Sequence, residues 1–136
     1  MQYLLGLDNG NTVTKAAIFD IQGNEIAVAS EDVRSYYPHS HHVERDMHEL
    51  WQQSSKAIRQ VISLAGIDSR DIKAIGCSGH GNGLYLLDKK QAPLKAIQSL
   101  DSRAAPMVEQ WKKQERHHAI YQQNLQGIWG AQSGML

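Results

Sequence analysis

The segment over residues 5–16 constrains the fold of this chain more than any other part of the sequence. An apolar run ends at Asp8, a short polar stretch surrounds Gly10, and a second apolar run begins at Ala16. This pattern predicts two antiparallel strands joined by a tight turn, with a carboxylate at the end of the first strand. Such a turn gathers backbone N–H groups, a hydroxyl and the ammonium of Lys15 around one small volume, which suits a phosphate.

Two interpretations of this turn stay open on the local pattern alone. Asp8 beside a phosphate suits a bound Mg²⁺, because a hard cation prefers oxygen ligands. Hairpins with a strand-terminal acid also occur where nothing binds, and short motifs match by chance. The sequence has no Walker-type loop, and no G-x-G-x-x-G follows a strand.

Length and charge narrow the class of protein. A chain of 136 residues predicts one domain with a real hydrophobic core. Lysine plus arginine and aspartate plus glutamate number 14 each, so bulk charge favours neither nucleic acid nor an anionic membrane as a partner. The single cysteine, Cys77, excludes an internal disulfide framework and fits a reducing compartment. With no signal peptide and no membrane-length apolar run, we expect a cytoplasmic protein.

Periodicity and turn residues predict an alternation of strands and helices. Asp46 is the predicted N-cap of the longest helix and Gly66 its C-terminal stop. The strand over 72–78 is predicted to be buried on both faces. Ser102 is a candidate N-cap for a later helix. The predicted strands are 2–8, 13–21, 24–34, 72–78, 84–88 and a short edge strand at 94–97; the predicted helices are 46–66, 102–115 and 117–125; residues 35–45 are predicted to be a loop.

Three meandering strands, a helix and then a parallel strand form the core of the ribonuclease-H-like α/β fold. The sequence therefore predicts a βββαβα-type mixed sheet with flanking helices, as in the actin, hexokinase and sugar kinase superfamily. Ligands of open α/β sheets gather at the carboxyl ends of the strands. Asp8 and the glycine-rich loop over 79–83 both lie at such ends.

The first hairpin resembles a specific family motif. Residues 8–15 (DNGNTVTK) are similar to the phosphate motif of the FGGY carbohydrate kinases, Asp-x-Gly-Thr-Thr/Ser-x-x-Lys/Arg. Asn11 departs from the hydroxyl residue of that motif, although an amide also hydrogen-bonds phosphate. Four further segments resemble family patterns in the right order, namely residues 44–51, 75–83, 84–88 and 96–104. Gly81, Asn82 and Ser99 resemble the L-xylulose (3-keto-L-gulonate-type) branch more than the D-xylulose branch.

The resemblance implies an ATP-dependent kinase of a ketose such as xylulose or L-xylulose, with ATP and Mg²⁺ as cofactors. It assigns the phosphate cradle to Gly10, Asn11, Thr12 and Lys15, and Mg²⁺ to Asp8. It places the sugar near His80, Gly81, Asn82 and Asp101. Arg103 is either a substrate contact or an ion-pair partner of Asp101.

The resemblance also implies what this chain lacks. We expect residues 1–136 to be the N-terminal part of the first kinase domain, without its remainder and without the second domain. The general-base aspartate of the family lies beyond Leu136, so no catalytic residue is assigned and the chain alone is expected to be inactive. The family pattern resumes at residues 127–133 and leads into a helix.

Other functions remain as alternatives. The first alternative is a non-catalytic truncated kinase fragment with a structural or association role, which leaves a homo-oligomer open. A nuclease of ribonuclease-H type shares the fold, but Ser78 and Gly79 stand where further metal-binding acids are needed, and the charge is neutral. The histidines at 39, 41 and 42 match no compact zinc motif, and a solvated loop is the simpler interpretation.

Overall fold

Within residues 1–131, the part of the chain that the computed structural model describes, strands and helices alternate much as the sequence predicts. The helix expected after residue 133 lies outside these residues. In chain order the elements are β1 (Tyr3–Asn9), β2 (Val13–Asp20), β3 (Glu25–Asp32), β4 (Glu44–Arg45), α1 (Met47–Ala65), β5 (Ile72–Gly79), β6 (Leu84–Leu87), β7 (Pro93–Ile97), α2 (Ala105–Lys113) and α3 (Arg116–Asn124), with a 3-10 turn at Ser69–Asp71.

The first sheet has the strand order β3-β2-β1-β5. β1, β2 and β3 form an antiparallel meander, and β1 and β2 remain paired from Tyr3↔Asp20 to Asn9↔Thr14. β5 returns parallel to β1 after the intervening helix. The predicted order of three meandering strands, a helix and a parallel strand is therefore confirmed.

Helix α1 begins and ends where the sequence predicts. The Asp46 carboxylate accepts hydrogen bonds from two backbone N–H groups of the first turn, and Gly66 ends the helix in the left-handed region at φ 62°. Ala57 and Val61 are fully buried against Leu5 and the inward face of β2. Burying a large apolar side chain such as that of Val61 contributes about 1.5–3 kcal/mol. Among the described helices, α1 is the one that packs on β2 and β3.

The prediction that residues 72–78 are buried on both faces is wrong in this structure. Among residues 1–131, β5 is an edge strand of its sheet, and its Ile75 side chain is 59% exposed. Cys77 is also exposed. The physical reason is that α1 packs mainly on β2 and β3, which leaves β5 without a covering helix among the described residues.

The described residues divide into two compact units, the first made of residues 1–34 and 46–80 and the second of residues 35–45 and 81–131. The second unit has its own antiparallel sheet, ordered β4-β7-β6. Here β7 is the central strand and not the predicted edge strand, because residues 44–45 pair with it as β4 instead of continuing the predicted loop. The central position buries Ala96 and Ile97.

Helix α2 begins later than predicted, and Ser102 is not its N-cap. The N-cap position is Ala104, without a capping side chain, and Pro106 occupies the first turn. Ser102 instead lies within hydrogen-bond distance of His41, with 3.3 Å between Ser102 Oγ and His41 Nδ1. Of the helices described, none combines the length and the apolar character needed to cross a membrane.

Candidate functional site

The turn between β1 and β2 is tight and requires glycine at its first position. The Gly10 N–H donates to the Val13 carbonyl oxygen at 3.0 Å, which closes the turn over residues 10–13. A Cβ atom at Gly10 would lie 2.9 Å from that same oxygen, closer than such atoms approach in proteins. The predicted cradle residues Gly10, Asn11 and Thr12 are thus held together by backbone geometry, and any larger residue at position 10 opens the turn.

A cavity of about 320 Å³ lies on the sheet beside this turn, and Asp8, Lys15 and Ser78 line it. Asp8 stands opposite Lys15 in the β1–β2 register and opposite Ser78 in the β1–β5 register. The Ser78 hydroxyl donates to Asp8 Oδ1 at 2.9 Å, which orients the carboxylate. Asp8 and Lys15 therefore stand opposite each other on β1 and β2, close in sequence to the turn, and both line the cavity.

The donor set of this cavity fits a phosphate-bound Mg²⁺ better than a metal held by protein alone. Among residues 1–131 no group of three or more histidine, cysteine or acidic side chains is placed to hold a metal ion. Mg²⁺ commonly keeps several waters and binds through one or two carboxylates plus substrate phosphates. The single carboxylate of the cavity, Asp8, with Lys15 and Ser78 also in its lining, matches that pattern.

Asn9 is a residue whose importance the sequence reasoning missed. It is the last residue of β1, and its side-chain oxygen accepts hydrogen bonds from Thr14 Oγ1 at 3.1 Å and Ser54 Oγ at 3.0 Å. Both hydroxyl residues are buried, at 0% and 5% exposure. The sequence held one indication of this role, namely polar residues at positions that face the core. Ser54 interrupts the apolar stripe of α1, and Thr14 faces the same core from β2.

The end of β5 is fixed to the end of β1. The His80 N–H donates to the Asn9 carbonyl oxygen at 3.1 Å. A Cβ at Gly79 would lie 3.0 Å from that oxygen, so glycine permits the close approach. Of the sugar-side residues predicted from the family pattern, His80 belongs to the first unit and is hydrogen-bonded to Asn9, the residue before the β1–β2 turn.

In the second unit, the predicted substrate residue Asp101 is the centre of a buried ion-pair cluster. Its carboxylate is 3% exposed and accepts four hydrogen bonds, from the Val43 N–H and from the backbone N–H, Nε and Nη2 of Arg103. Arg103 Nη2 also donates to Glu44 Oε1 at 2.7 Å. Of the two roles considered for Arg103, substrate contact or ion-pair partner, the structure shows the ion pair with Asp101, and Glu44 is a partner that the sequence did not reveal.

The electrostatics of this cluster favour its charged form. Burial alone would raise the pKa of Asp101, but hydrogen bonds from Arg103 and from the Val43 N–H outweigh it and hold that pKa below its usual value. The pKa of Glu44 is likewise lowered, because hydrogen bonds from Arg103 and Lys95 outweigh its burial. The pKa of Arg103 is raised, chiefly by its hydrogen bond to Asp101.

The remaining sugar-side residues lie on the loop before β6. Asn82 has φ 59°, in the left-handed region that asparagine tolerates better than most residues. Around Gly81 there is open space, because a Cβ there would meet no atom within 4 Å. Small residues and a left-handed turn leave this stretch of backbone accessible.

The histidine-rich loop of the second unit shows no metal arrangement among the described residues. The rings of His39 and His42 meet edge to face with centroids 5.1 Å apart. His41 has φ 67° and is held by Ser102, whose N–H donates to the His41 carbonyl oxygen at 2.9 Å.

A βββαβ sheet with three meandering strands, a helix and a parallel strand defines a protein of the ribonuclease-H-like fold class. The chain belongs to the FGGY family of carbohydrate kinases, since the model of the family's N-terminal domain matches residues 3–136. These kinases are transferases, and the structural neighbours below share their actin/hexokinase-type fold.

Known relatives agree with this assignment. The chain is 39% identical over 130 residues to a protein of Pasteurella multocida named "Probable L-xylulose kinase", covering 95% of this chain and 27% of that protein. It is 38% identical over 129 residues to the "L-xylulose/3-keto-L-gulonate kinase" of Escherichia coli K12, covering 94% and 26%. The chain thus spans about a quarter of the length of these curated relatives.

Solved structures give the same fold. The ligand-bound xylulose kinase of Lactobacillus acidophilus superimposes with a TM-score of 0.82 at 25% identity, over 90% of this chain and 24% of that one. The glycerol kinase of Plasmodium falciparum, at 17% identity and a TM-score of 0.73 over 89% of this chain and 25% of that one, supports the fold alone.

Proposed function

We propose that this chain supplies the phosphate-binding hairpin and part of the sugar site of a kinase that phosphorylates a ketose, such as xylulose or L-xylulose, with ATP and Mg²⁺. The observation that carries the proposal is the turn closed from Gly10 to Val13 beside Asp8 and Lys15. Two relatives of the L-xylulose type support the substrate class. A cytoplasmic location belongs to the same proposal.

On the nucleotide side, each residue has a distinct task. The backbone N–H groups and hydroxyl of the turn over 10–12 bind phosphate oxygens, and Lys15 adds a positive charge that draws the phosphates to the strand ends. Asp8, oriented by Ser78, holds Mg²⁺ through water. When bound, Mg²⁺ neutralises negative charge on the transferred phosphoryl group.

On the sugar side, the loop residues His80, Gly81 and Asn82 offer accessible backbone and short polar groups to hydroxyls. Asp101 acts differently in this proposal. Its four hydrogen bonds occupy the acceptor sites of its carboxylate, so it serves the sugar site by fixing Arg103 and the backbone of Val43.

The chain alone is proposed to bind nucleotide weakly and to lack turnover. Half of a cleft cannot hold both reactants in line or exclude water, and the family's general base is assigned to no residue here. In an NMR titration with Mg-ATP we expect amide shifts at residues 10–15, and in an enzyme-linked assay with a ketose panel no ADP formation.

Matched variants test the role of Asp8. Asp8→Asn is expected to weaken the Mg²⁺-dependent affinity about tenfold, because it removes the one carboxylate of the cavity. Glu25→Gln removes the same charge from an exposed position at the start of β3 and should leave affinity unchanged. Equal effects of both variants, or no shifts at residues 10–15, contradict the nucleotide proposal; robust turnover contradicts the proposed inactivity.

A second candidate function is self-association, and the exposed edge strand β5 favours it. From Ala74 to Gly79 this strand carries no charged side chain, and open uncharged edges pair readily with other strands. The proposed occupant is a second copy of the chain, paired antiparallel about a two-fold axis, which keeps the two Lys73 side chains at opposite ends of the shared edge.

Light scattering across a concentration series tests this association. We expect Ile75→Lys to shift the chain to monomer, because its charge enters the shared face. Leu64→Lys alters an equally exposed apolar residue of α1, at 68% exposure, and should leave the dimer intact. A wild-type chain that stays monomeric at every concentration rejects this second function.

A further inference from the structure

Three parts of the first unit meet at the side chain of Asn9. Its Oδ1 atom accepts from Thr14 of β2 at 3.1 Å and from Ser54 of α1 at 3.0 Å. The single Ser54 hydroxyl hydrogen is shared with the Leu50 carbonyl oxygen, 2.8 Å away. Since both hydroxyl groups belong to buried residues, the amide of Asn9 is their polar partner inside the core.

The backbone of the same residue reaches a fourth element. The Asn9 carbonyl oxygen accepts from the His80 N–H at 3.1 Å, at the point where the chain leaves β5. Gly79 allows this approach. One residue therefore links the start of the turn, the strand after it, the long helix and the loop that follows β5.

We propose that Asn9 is a positioning residue for the phosphate-binding turn, an inference that rests on the proposed nucleotide-binding function. Asn9 and Thr14 directly flank the turn over 10–13, so anchoring their hydrogen bond to α1 fixes where Asp8, Gly10 and Lys15 lie. Displacement of binding groups by about 1 Å costs up to about 100-fold in function.

Two kinds of variant separate positioning from simple stabilisation. Asn9→Ala removes the acceptor of the buried Thr14 hydroxyl, whereas Ser54 keeps its hydrogen bond to the Leu50 carbonyl oxygen. Thr14→Val with Ser54→Ala removes both donors and leaves no unsatisfied hydroxyl. We expect both variants to weaken Mg-ATP binding by at least about tenfold. The triple variant that combines the three substitutions should bind no more weakly than Asn9→Ala alone, because the three side chains act through one hydrogen-bond network.

Hydrogen exchange without nucleotide gives an independent measurement. In Asn9→Ala and in the double variant, the amides of Gly10 and His80 should lose protection, and Asn9→Asp should restore it by keeping the acceptor oxygen. Asn24→Ala is the matched control: Asn24 Nδ2 donates to Asp20 Oδ2 at 2.7 Å in the next turn of the same sheet. It should change neither the exchange at Gly10 and His80 nor the affinity.

The outcomes are distinguishable. Unchanged exchange at Gly10 and His80 rejects the positioning role, and so does faster exchange with unchanged affinity, which would mean that Asn9 only stabilises the fold. If the wild-type chain binds no Mg-ATP, the proposed function fails; faster exchange confined to Gly10 and His80, with the free energy of unfolding unchanged, then supports the positioning role, and a general loss of stability rejects it. If Asn9→Ala does not fold, the double variant, which buries no unpaired hydroxyl, decides in its place.

Discussion

Replacing Arg103 with methionine is expected to lower the free energy of unfolding of the second unit by about 3–5 kcal/mol. Arg103 is the charged partner of two acids, Asp101 and Glu44, at 2.7 Å from each. Its removal leaves the carboxylate of Asp101, which is 3% exposed, without a counter-charge. Denaturant unfolding followed by far-UV circular dichroism measures the loss.

Lys95→Met is the matched control for this variant. Lys95 also pairs with Glu44, at 3.0 Å, but its side chain is 47% exposed, and exposed pairs contribute about 0–1 kcal/mol. Both substitutions remove one cation that pairs with Glu44, but the Arg103 side chain is largely buried and that of Lys95 is exposed. Equal losses in the two variants would contradict the assignment of Asp101 and Arg103 as the buried centre of the cluster.

The stabilities of the wild type and of Arg103→Met should depend differently on pH. In the wild type the pKa of Asp101 is lowered from 3.8 and that of Glu44 from 4.5. Their contributions are therefore present above those unfolded values and are lost as pH falls through the lower folded values. In Arg103→Met, we expect burial to raise the pKa of Asp101. The free-energy cost of burying the ionised carboxylate is then largest at neutral pH. The stability difference between the two proteins should shrink from pH 7 toward pH 4.

Gly10→Ala is expected to destabilise the first unit by about 1–3 kcal/mol and to abolish detectable Mg-ATP shifts in the same protein. The added Cβ would stand 2.9 Å from the Val13 carbonyl oxygen, a backbone atom that moves only if the turn opens. Opening separates the N–H groups over 10–12 from Asp8 and Lys15. Thermal unfolding and the NMR titration described above measure the two effects.

Gly76→Ala serves as the control for stability. A Cβ at Gly76 meets no atom within 4 Å, and alanine in a strand loses less backbone entropy than glycine, so we expect a neutral or slightly stabilising change of up to about 1 kcal/mol. If Gly10→Ala proves as stable as Gly76→Ala, the turn does not require glycine, and the cradle loses its structural basis.

The residues that were predictable are those whose role is local. The hairpin, its turn, Asp8 at the strand end and the caps of α1 follow from spacing over a few residues. The Asp101–Arg103 pair lies within one turn of chain and was also foreseen. Glu44 was not, because it reaches Arg103 across 59 positions of sequence, through a β4–β7 pairing that no local pattern indicates.

Asn9 and β5 show two further limits. Asn9 looks like a turn residue in sequence, and only the packing of α1 on β2 reveals its hydrogen bonds to Thr14 and Ser54. The apolar run of β5 correctly predicts a strand, but burial depends on what packs against it. The apolar sequence of β5 shows that this strand is suited to burial on both faces. Among the described residues, however, no helix packs on it.

The Asp20 side chain has a consequence for how the chain folds. Its Oδ1 accepts from the backbone N–H groups of Gln22 and Asn24, both at 2.9 Å, inside the turn that joins β2 and β3. This turn needs no distant partner, whereas β1 must wait for β5, about 70 residues later, to complete its pairing. Because local contacts form fastest, we expect the two N-terminal hairpins to assemble while the ribosome is still synthesising α1, before the parallel strand exists.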